Sequence, residues 1–325
     1  MTRWLDEGAH GKEQPLGECG SITEPVHVFD RTEINAVNAA LASRRPLLVR
    51  GEPGTGKSQL ARAAAVAMNR PFLCHVVDSR TTAEDLLWKF DAVGRLAEAQ
   101  LAGALRETNA GKLREQLEPK RFVTPGRLWW ALDWGSAATH VTDYGGPVPA
   151  APADWIREES PVILIDEIDK ADSDVPNGLL EVLGSRRFQP HGYDQEICCR
   201  DKNPPLVVIT TNEERALPDA FLRRCMVLHI ELPNDGEALK RLLVVRGKAH
   251  FDECSDDVLQ LAAEQLVKDR AAMKQRRLPA PGQAEYLDLI RAVTEMRPKD
   301  VEAQRRLLEQ VALYALQKHP RDATR

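Results

Sequence analysis

The densest chemistry in the chain lies in Arg50-Gly51-Glu52-Pro53-Gly54-Thr55-Gly56-Lys57-Ser58. From Gly51 it spells G-x-x-x-x-G-K-S, with an apolar run (46–49) before it and an alanine-rich run (59–68) after it. Strand, glycine loop and helix form the context in which that spacing binds phosphate. The glycines let backbone N–H groups turn inward around an anion, and the helix N-terminus adds a partial positive charge. Lys57 is expected to reach the outer phosphates of a nucleotide, and the Ser58 hydroxyl to ligate Mg2+. The alternative is a glycine turn with a surface lysine. By composition the full pattern arises on the order of once per hundred chains of this length, and the flanking strand and helix make coincidence rarer.

Phosphoryl transfer also needs a metal anchor, a polarised water and charge neutralisation. An apolar run over 161–165 ends in Asp166 and Glu167. In open α/β sheets ligands lie at the carboxyl ends of strands, so both acids should face the nucleotide. Asp166 is placed to hold Mg2+, and Glu167 to orient and deprotonate the attacking water. The competing reading is an acidic helix start. Asn212, at the tip of the run 205–211, can hydrogen-bond the same water or the γ-phosphate, or serve merely as a turn residue. Arg223 and Arg224 close the stretch 217–225. A guanidinium there can stabilise charge on a neighbour's phosphates, or simply end a surface helix; the residues alone do not separate the two.

The elements that must position these groups read as α/β: a P-loop αβα sandwich with a parallel sheet, then a smaller all-α domain. Ile34, Val37, Ala40 and Leu41 recur at helical spacing, and 71–78 reads as a second strand. Between them and the Asp166 strand lies a long stretch. It holds a helix over 83–88, a small turn or hairpin over 93–96, one or two exposed helices over 97–120, a helix over 127–134, and an irregular Gly/Pro-bearing loop over 139–154. A helix over 174–183 precedes a β-hairpin formed by 187–190 and 195–199. After the strand 227–232 the strand signal stops, and four helices are predicted over 237–248, 256–274, 283–294 and 298–318. The organisation is therefore a flexible tail over 1–24, a nucleotide-binding domain over 25–232 and a helical lid over 233–325.

Composition narrows the class. The chain has 325 residues, 43% hydrophobic and 29% charged, with 44 basic against 49 acidic residues for a net charge of −5. That balance points to no polyanionic partner. The apolar runs are too short to span a bilayer, and the N-terminus lacks a signal-peptide core. Six cysteines (Cys19, Cys74, Cys198, Cys199, Cys225, Cys254) without C-x-x-C spacing read as free thiols of a reducing cytoplasm rather than a disulfide framework or zinc site.

Taken together, 51–58, Ile163-Leu164-Ile165-Asp166-Glu167-Ile168-Asp169-Lys170-Ala171, Thr211-Asn212 and Leu217-Pro218-Asp219-Ala220-Phe221-Leu222-Arg223-Arg224 resemble the MoxR family of AAA+ ATPases. The resemblance runs from about Val26 to the end. It implies an αβα nucleotide domain with a helical lid, ATP and Mg2+ as cofactors, and hexameric rings with active sites at subunit junctions. It further implies chaperone-like remodelling of a client protein, often one with a von Willebrand factor A domain. Lys57 and Ser58 match the Walker A pair, Asp166 and Glu167 Walker B, Asn212 sensor 1, and Arg224 the arginine finger, with Arg223 the second choice. The clade's helix-2 insert matches 88–96, its hairpin before sensor 1 matches 187–199, and Phe122-Val123-Thr124-Pro125-Gly126-Arg127-Leu128 matches a family turn. Glu213 stands where a proline is usual, 97–120 and 139–154 are long, and 279–283 offers no sensor 2 arginine. Two other functions fit the same residues. One is a motor acting on nucleic acid, against which the charge balance argues; the other is a nucleotide-gated scaffold with little turnover. The phosphate loop itself does not choose ATP over GTP.

Overall fold

The computed structural model describes residues 4–17, 26–105, 109–199 and 203–316; Cys19 and the end of the last predicted helix lie outside them. The chain forms two compact units. One comprises Met1–Asp6, Thr32–Val49 and Ala64–Leu228; the other Glu7–Arg31, Arg50–Ala63 and His229–Arg325.

The first unit is built on a five-stranded parallel sheet: β1 (Leu47–Arg50), β2 (Phe72–Val76), β3 (Val162–Asp166), β4 (Leu206–Thr211) and β5 (Met226–His229), in the order β5-β1-β4-β3-β2. Every residue of β4, and every residue of β3 before Asp166, is buried. A strand covered on both faces needs a continuous apolar run rather than alternation, which is why these two were legible as strands. Register then delivers the chemistry: Ile209 pairs with Ile165 and Val76 with Asp166, so Asp166 and Thr210 emerge together at the carboxyl edge.

Beside the sheet, Trp129 is fully buried with its ring edge-on to Phe188 and Tyr193. Trp88 stacks on Phe188 at 5.7 Å. These rings seat the hairpin Arg187–Phe188/Ile197–Cys198, found where the sequence placed it. His140 donates from Nε2 to the Val123 carbonyl at 2.8 Å, leaving Nδ1 to accept from the Tyr193 hydroxyl. Burial lowers the His140 pKa and favours the neutral ring that this pairing requires.

Two local expectations over 88–154 fail. Residues 93–96 form no turn but belong to the helix Ala92–Ala104, which Asp91 caps by accepting from Gly94 N at 2.7 Å. Residues 139–144 are not loop: the helix Trp134–Tyr144 continues through them and stops only at Gly145, φ +89°. Burial of Trp134, Ala137, His140 and Val141 along one face outweighs the weak helix preference of Thr139, Val141 and Thr142. The insert matched to 88–96 begins as a strand, Trp88–Phe90, paired antiparallel with Val123–Pro125.

The second unit holds the helices Gly236–His250, Asp256–Gln275, Gln283–Met296 and Val301–Ala315, close to the four predicted. Leu243, Leu259, Leu266, Tyr286, Ile290 and Leu308 fill its core. Gly247 lets two of its helices approach, since a Cβ there would lie 2.6 Å from the Tyr286 hydroxyl. The unit does not begin near 233: the phosphate loop and its first helical turns, Arg50–Ala63, cluster with these helices, as does Glu7–Arg31. The tail expected over 1–24 is also structured where described. Glu13–Pro15 pairs antiparallel with Val26–Val28 and Leu16 is buried; three residues of strand are too few to show a period.

Candidate functional site

The phosphate loop lies wholly in the second unit. Gly51 (φ +147°) passes so close to Ile230 that a Cβ would sit 2.2 Å from its carbonyl oxygen. Gly54 and Gly56 hold φ of +74° and +96°, a region that costs other residues about 1 kcal/mol or more. The loop's carbonyls are held by donors. Lys57 Nζ donates to Gly51 O and Glu52 O, both at 2.8 Å, and Thr55 Oγ1 to Glu52 O at 2.9 Å. The backbone N–H of Ala284 donates to Gly54 O at 3.1 Å. Carbonyls so engaged are not the groups an incoming anion meets, and Ser58 follows in the first turn of the Lys57–Ala67 helix. Positive-φ glycines, a buried lysine at the loop's centre and a helix N-terminus together fit a polyphosphate.

A narrow pocket beside the loop is lined by Val26, His27, Val28, Thr55, Gly56, Gln59, Arg246, His250 and Gln283. Arg246 donates to the Gln283 side-chain oxygen. Burial, then the charges of Arg291, His27 and Arg246, push His250 down from 6.5 to about 4. The unfolded chain therefore binds this proton at higher pH than the folded one. Stability should rise between pH 4 and 6.5 and stay flat above. The full difference corresponds to about 3 kcal/mol; screening at this half-buried ring brings the expectation to about 1–2 kcal/mol. Urea unfolding at pH 4 and 7.5 should show most of that gain, and His250→Gln should shrink it.

The second group of residues lies in the first unit at the carboxyl edge of β3 and β4. Thr210 Oγ1 donates to Asp166 Oδ1 at 2.5 Å and accepts from Glu167 N at 2.9 Å. Glu167 takes a left-handed backbone (φ 60°), a strained conformation of the kind that concentrates at functional sites. Asn212 Nδ2 donates to Glu167 Oε1 at 3.3 Å, and Lys170 Nζ to Glu167 Oε2 at 2.6 Å. The hydrogen bond and charge of Glu167 raise the Lys170 pKa. Asp169, buried, accepts from Asn212 N and Glu214 N at 3.2 and 2.9 Å, fixing the turn that carries Asn212. The structure thus brings Asp166, Glu167 and Asn212 together at one edge of the sheet. The Asp166 carboxylate in this unit and, separately, the Ser58 hydroxyl in the other are each oxygen donors of the type Mg2+ prefers.

Arg224 is not part of that cluster. Its guanidinium donates to Ala220 O at 3.2 Å beside an apolar cavity of about 230 Å3 shared with Arg44, Arg45, Leu180, Leu183 and Phe221. Sequence reading missed Thr210, Asp169 and Lys170 as site members. The first sits inside an apolar strand, and the other two were visible only as part of the Asp166 motif. It also missed Arg246 and Arg270, whose approach to the loop follows from tertiary packing alone.

Residues 46–225 match the family model described as AAA domain (dynein-related subfamily). The chain is 28% identical over 192 residues to a mitochondrial Lon protease homolog of Yarrowia lipolytica, a match that covers 57% of this chain and 12% of that protein. The chain therefore spans about an eighth of that relative's length. A crystal structure of a candidate ATPase from Cytophaga hutchinsonii is similar with a TM-score of 0.37 and 16% identity, over 85% of this chain and 78% of that one.

Proposed function

The chain belongs to the AAA domain family, dynein-related subfamily, and from that premise we propose an ATP-hydrolysing protein of MoxR type. In this reading it assembles as a cytoplasmic homo-oligomeric ring, a hexamer, and uses turnover to remodel a client protein, one with a von Willebrand factor A domain by the family resemblance. The observation that carries hydrolysis is the Glu167 carboxylate held by Asn212 and Lys170, one residue beyond the Asp166 that Thr210 fixes.

Lys57 releases the Gly51 and Glu52 carbonyls and donates instead to the outer phosphates. The loop amides bind the phosphate chain. Glu167 accepts the proton of the attacking water while Asn212 keeps its carboxylate oriented. Ser58 and Asp166 are the residues that would hold Mg2+, which would supply charge neutralisation on the phosphates. Arg224 has no described carboxylate partner and offers its charge to the nucleotide of a neighbouring copy.

The 2.6 Å ion pair of Lys170 with Glu167 favours a second reading, a nucleotide-gated scaffold, because it occupies one of the two carboxylate oxygens that would otherwise meet the attacking water. A turnover no higher than that of Glu167→Gln would select it. Stimulation by DNA or RNA would select the nucleic-acid motor instead. The test of the main reading is nucleotide binding and hydrolysis by wild type and Lys57→Ala. The variant should lose binding by about 100-fold or more, since a buried phosphate-contacting cation is removed. A wild type that binds no ATP, or a variant that behaves like it, rejects the reading.

A further inference from the structure

Arg270, on the Asp256–Gln275 helix, is buried at 4% exposure, yet its guanidinium reaches the phosphate loop. Its NH2 group donates to Glu52 Oε2 at 2.5 Å and its NH1 group to the Pro281 carbonyl at 2.9 Å. Pro281 directly precedes the Gly282 that caps the next helix, and Ala284 of that helix donates to Gly54 O. One buried cation therefore ties a loop carboxylate to the start of the helix that also grips the loop's crest.

From this we infer that Arg270 is a positioning residue for the phosphate loop: its ion pair with Glu52 sets the loop shape that binds the nucleotide's phosphates. The inference rests on the nucleotide-binding reading above. A buried guanidinium stays charged and demands a partner. Glu52 meets that demand, and its own carbonyl accepts from Lys57 and Thr55. The side chain thus anchors the residue on which the loop's internal bonds converge.

The sign of the effect of Glu52→Gln separates this role from plain electrostatics. A bystander carboxylate near a polyphosphate repels it, so neutralising it would tighten binding. A carboxylate that holds the loop through Arg270 gives weaker binding when neutralised.

The experiment is a double-mutant cycle of Arg270→Met and Glu52→Gln, read by titration with a fluorescent ATP analogue. Amide hydrogen exchange over 51–58 in nucleotide-free protein and melting temperature accompany it. Arg270→Met should weaken binding about tenfold and Glu52→Gln a few-fold. The double variant should be no weaker than Arg270→Met, because the pair acts as a unit. Exchange over 51–58 should rise in both single variants. Tighter binding by Glu52→Gln, multiplicative losses, or unchanged exchange each overturn the inference. Should Arg270→Met fail to fold, Glu52→Gln alone decides by the sign of its affinity change and by exchange. A wild type that binds no nucleotide sinks the proposed function, while the exchange result still judges the clamp.

Discussion

Glu167→Gln should lose hydrolysis by about 10²- to 10⁴-fold, the range for removing a general base, while binding ATP within about threefold of wild type. The amide keeps the size of the side chain and can still pair with Asn212, but it cannot take a proton. The phosphate loop lies in the other unit, where among the described residues Lys57, Thr55 and Ala284 hold the Gly51, Glu52 and Gly54 carbonyls, and Glu167 is not one of those partners. The Lys170 ammonium loses a partner, yet its side chain is exposed and that of Glu167 partly so, so water screens the lost pair and the melting temperature should hold. Single-turnover hydrolysis and equilibrium nucleotide titration on the same preparation measure the two halves. A variant that turns over at the wild-type rate would remove Glu167 from the chemistry. It would leave the scaffold reading in front if that common rate were itself barely above background.

Much of this site was legible because its residues are tied to local sequence. G-x-x-x-x-G-K-S needs positive φ at fixed positions, and Gly54 and Gly56 supply it in the structure. Asp166, Glu167 and Asn212 stand at the ends of doubly buried strands, whose apolar runs mark where the chain must emerge at the sheet edge. Partners recruited across tertiary packing were not legible. Asn212 is 45 residues from Glu167, Thr210 is 44 from Asp166, and Arg270 is 218 from Glu52. No spacing rule links such pairs, and Arg270 lies in a helix whose pattern announces only an amphipathic face. The missing sensor 2 arginine shows the same limit: 279–283 has none, yet Arg246 and Arg270 both come to the loop's surroundings from other helices. The helix through 139–144 was misread for a related reason, since only burial of its tryptophan and histidine face outweighs the β-branched residues within it.

Arg224→Ala should abolish turnover, by about 10³-fold or more if its guanidinium acts on a neighbour's phosphates, with nucleotide affinity kept. Within its own unit Arg224 is exposed, donates only to the carbonyl four residues back, and has no carboxylate partner among the described residues. An arginine so placed contributes little to the fold. A large kinetic loss would therefore have to come from a contact outside the chain. Arg223 is the control: it is exposed as well, its carbonyl accepts from Arg45, and its side chain does not line the Arg224 cavity. Arg223→Ala should stay within about threefold of wild type. Mixing separates a shared site from a damaged one. Arg224→Ala subunits retain Glu167, and Glu167→Gln subunits retain Arg224, so a mixed ring contains junctions with both groups intact. Activity should reappear on mixing two inactive proteins, and wild-type specific activity should rise with protein concentration. Recovery on mixing requires that one copy's arginine serve another copy's nucleotide. If activity is instead independent of concentration and Arg224→Ala is harmless, the site is complete within one chain, and a nucleotide-driven switch accounts for the residues better than a ring.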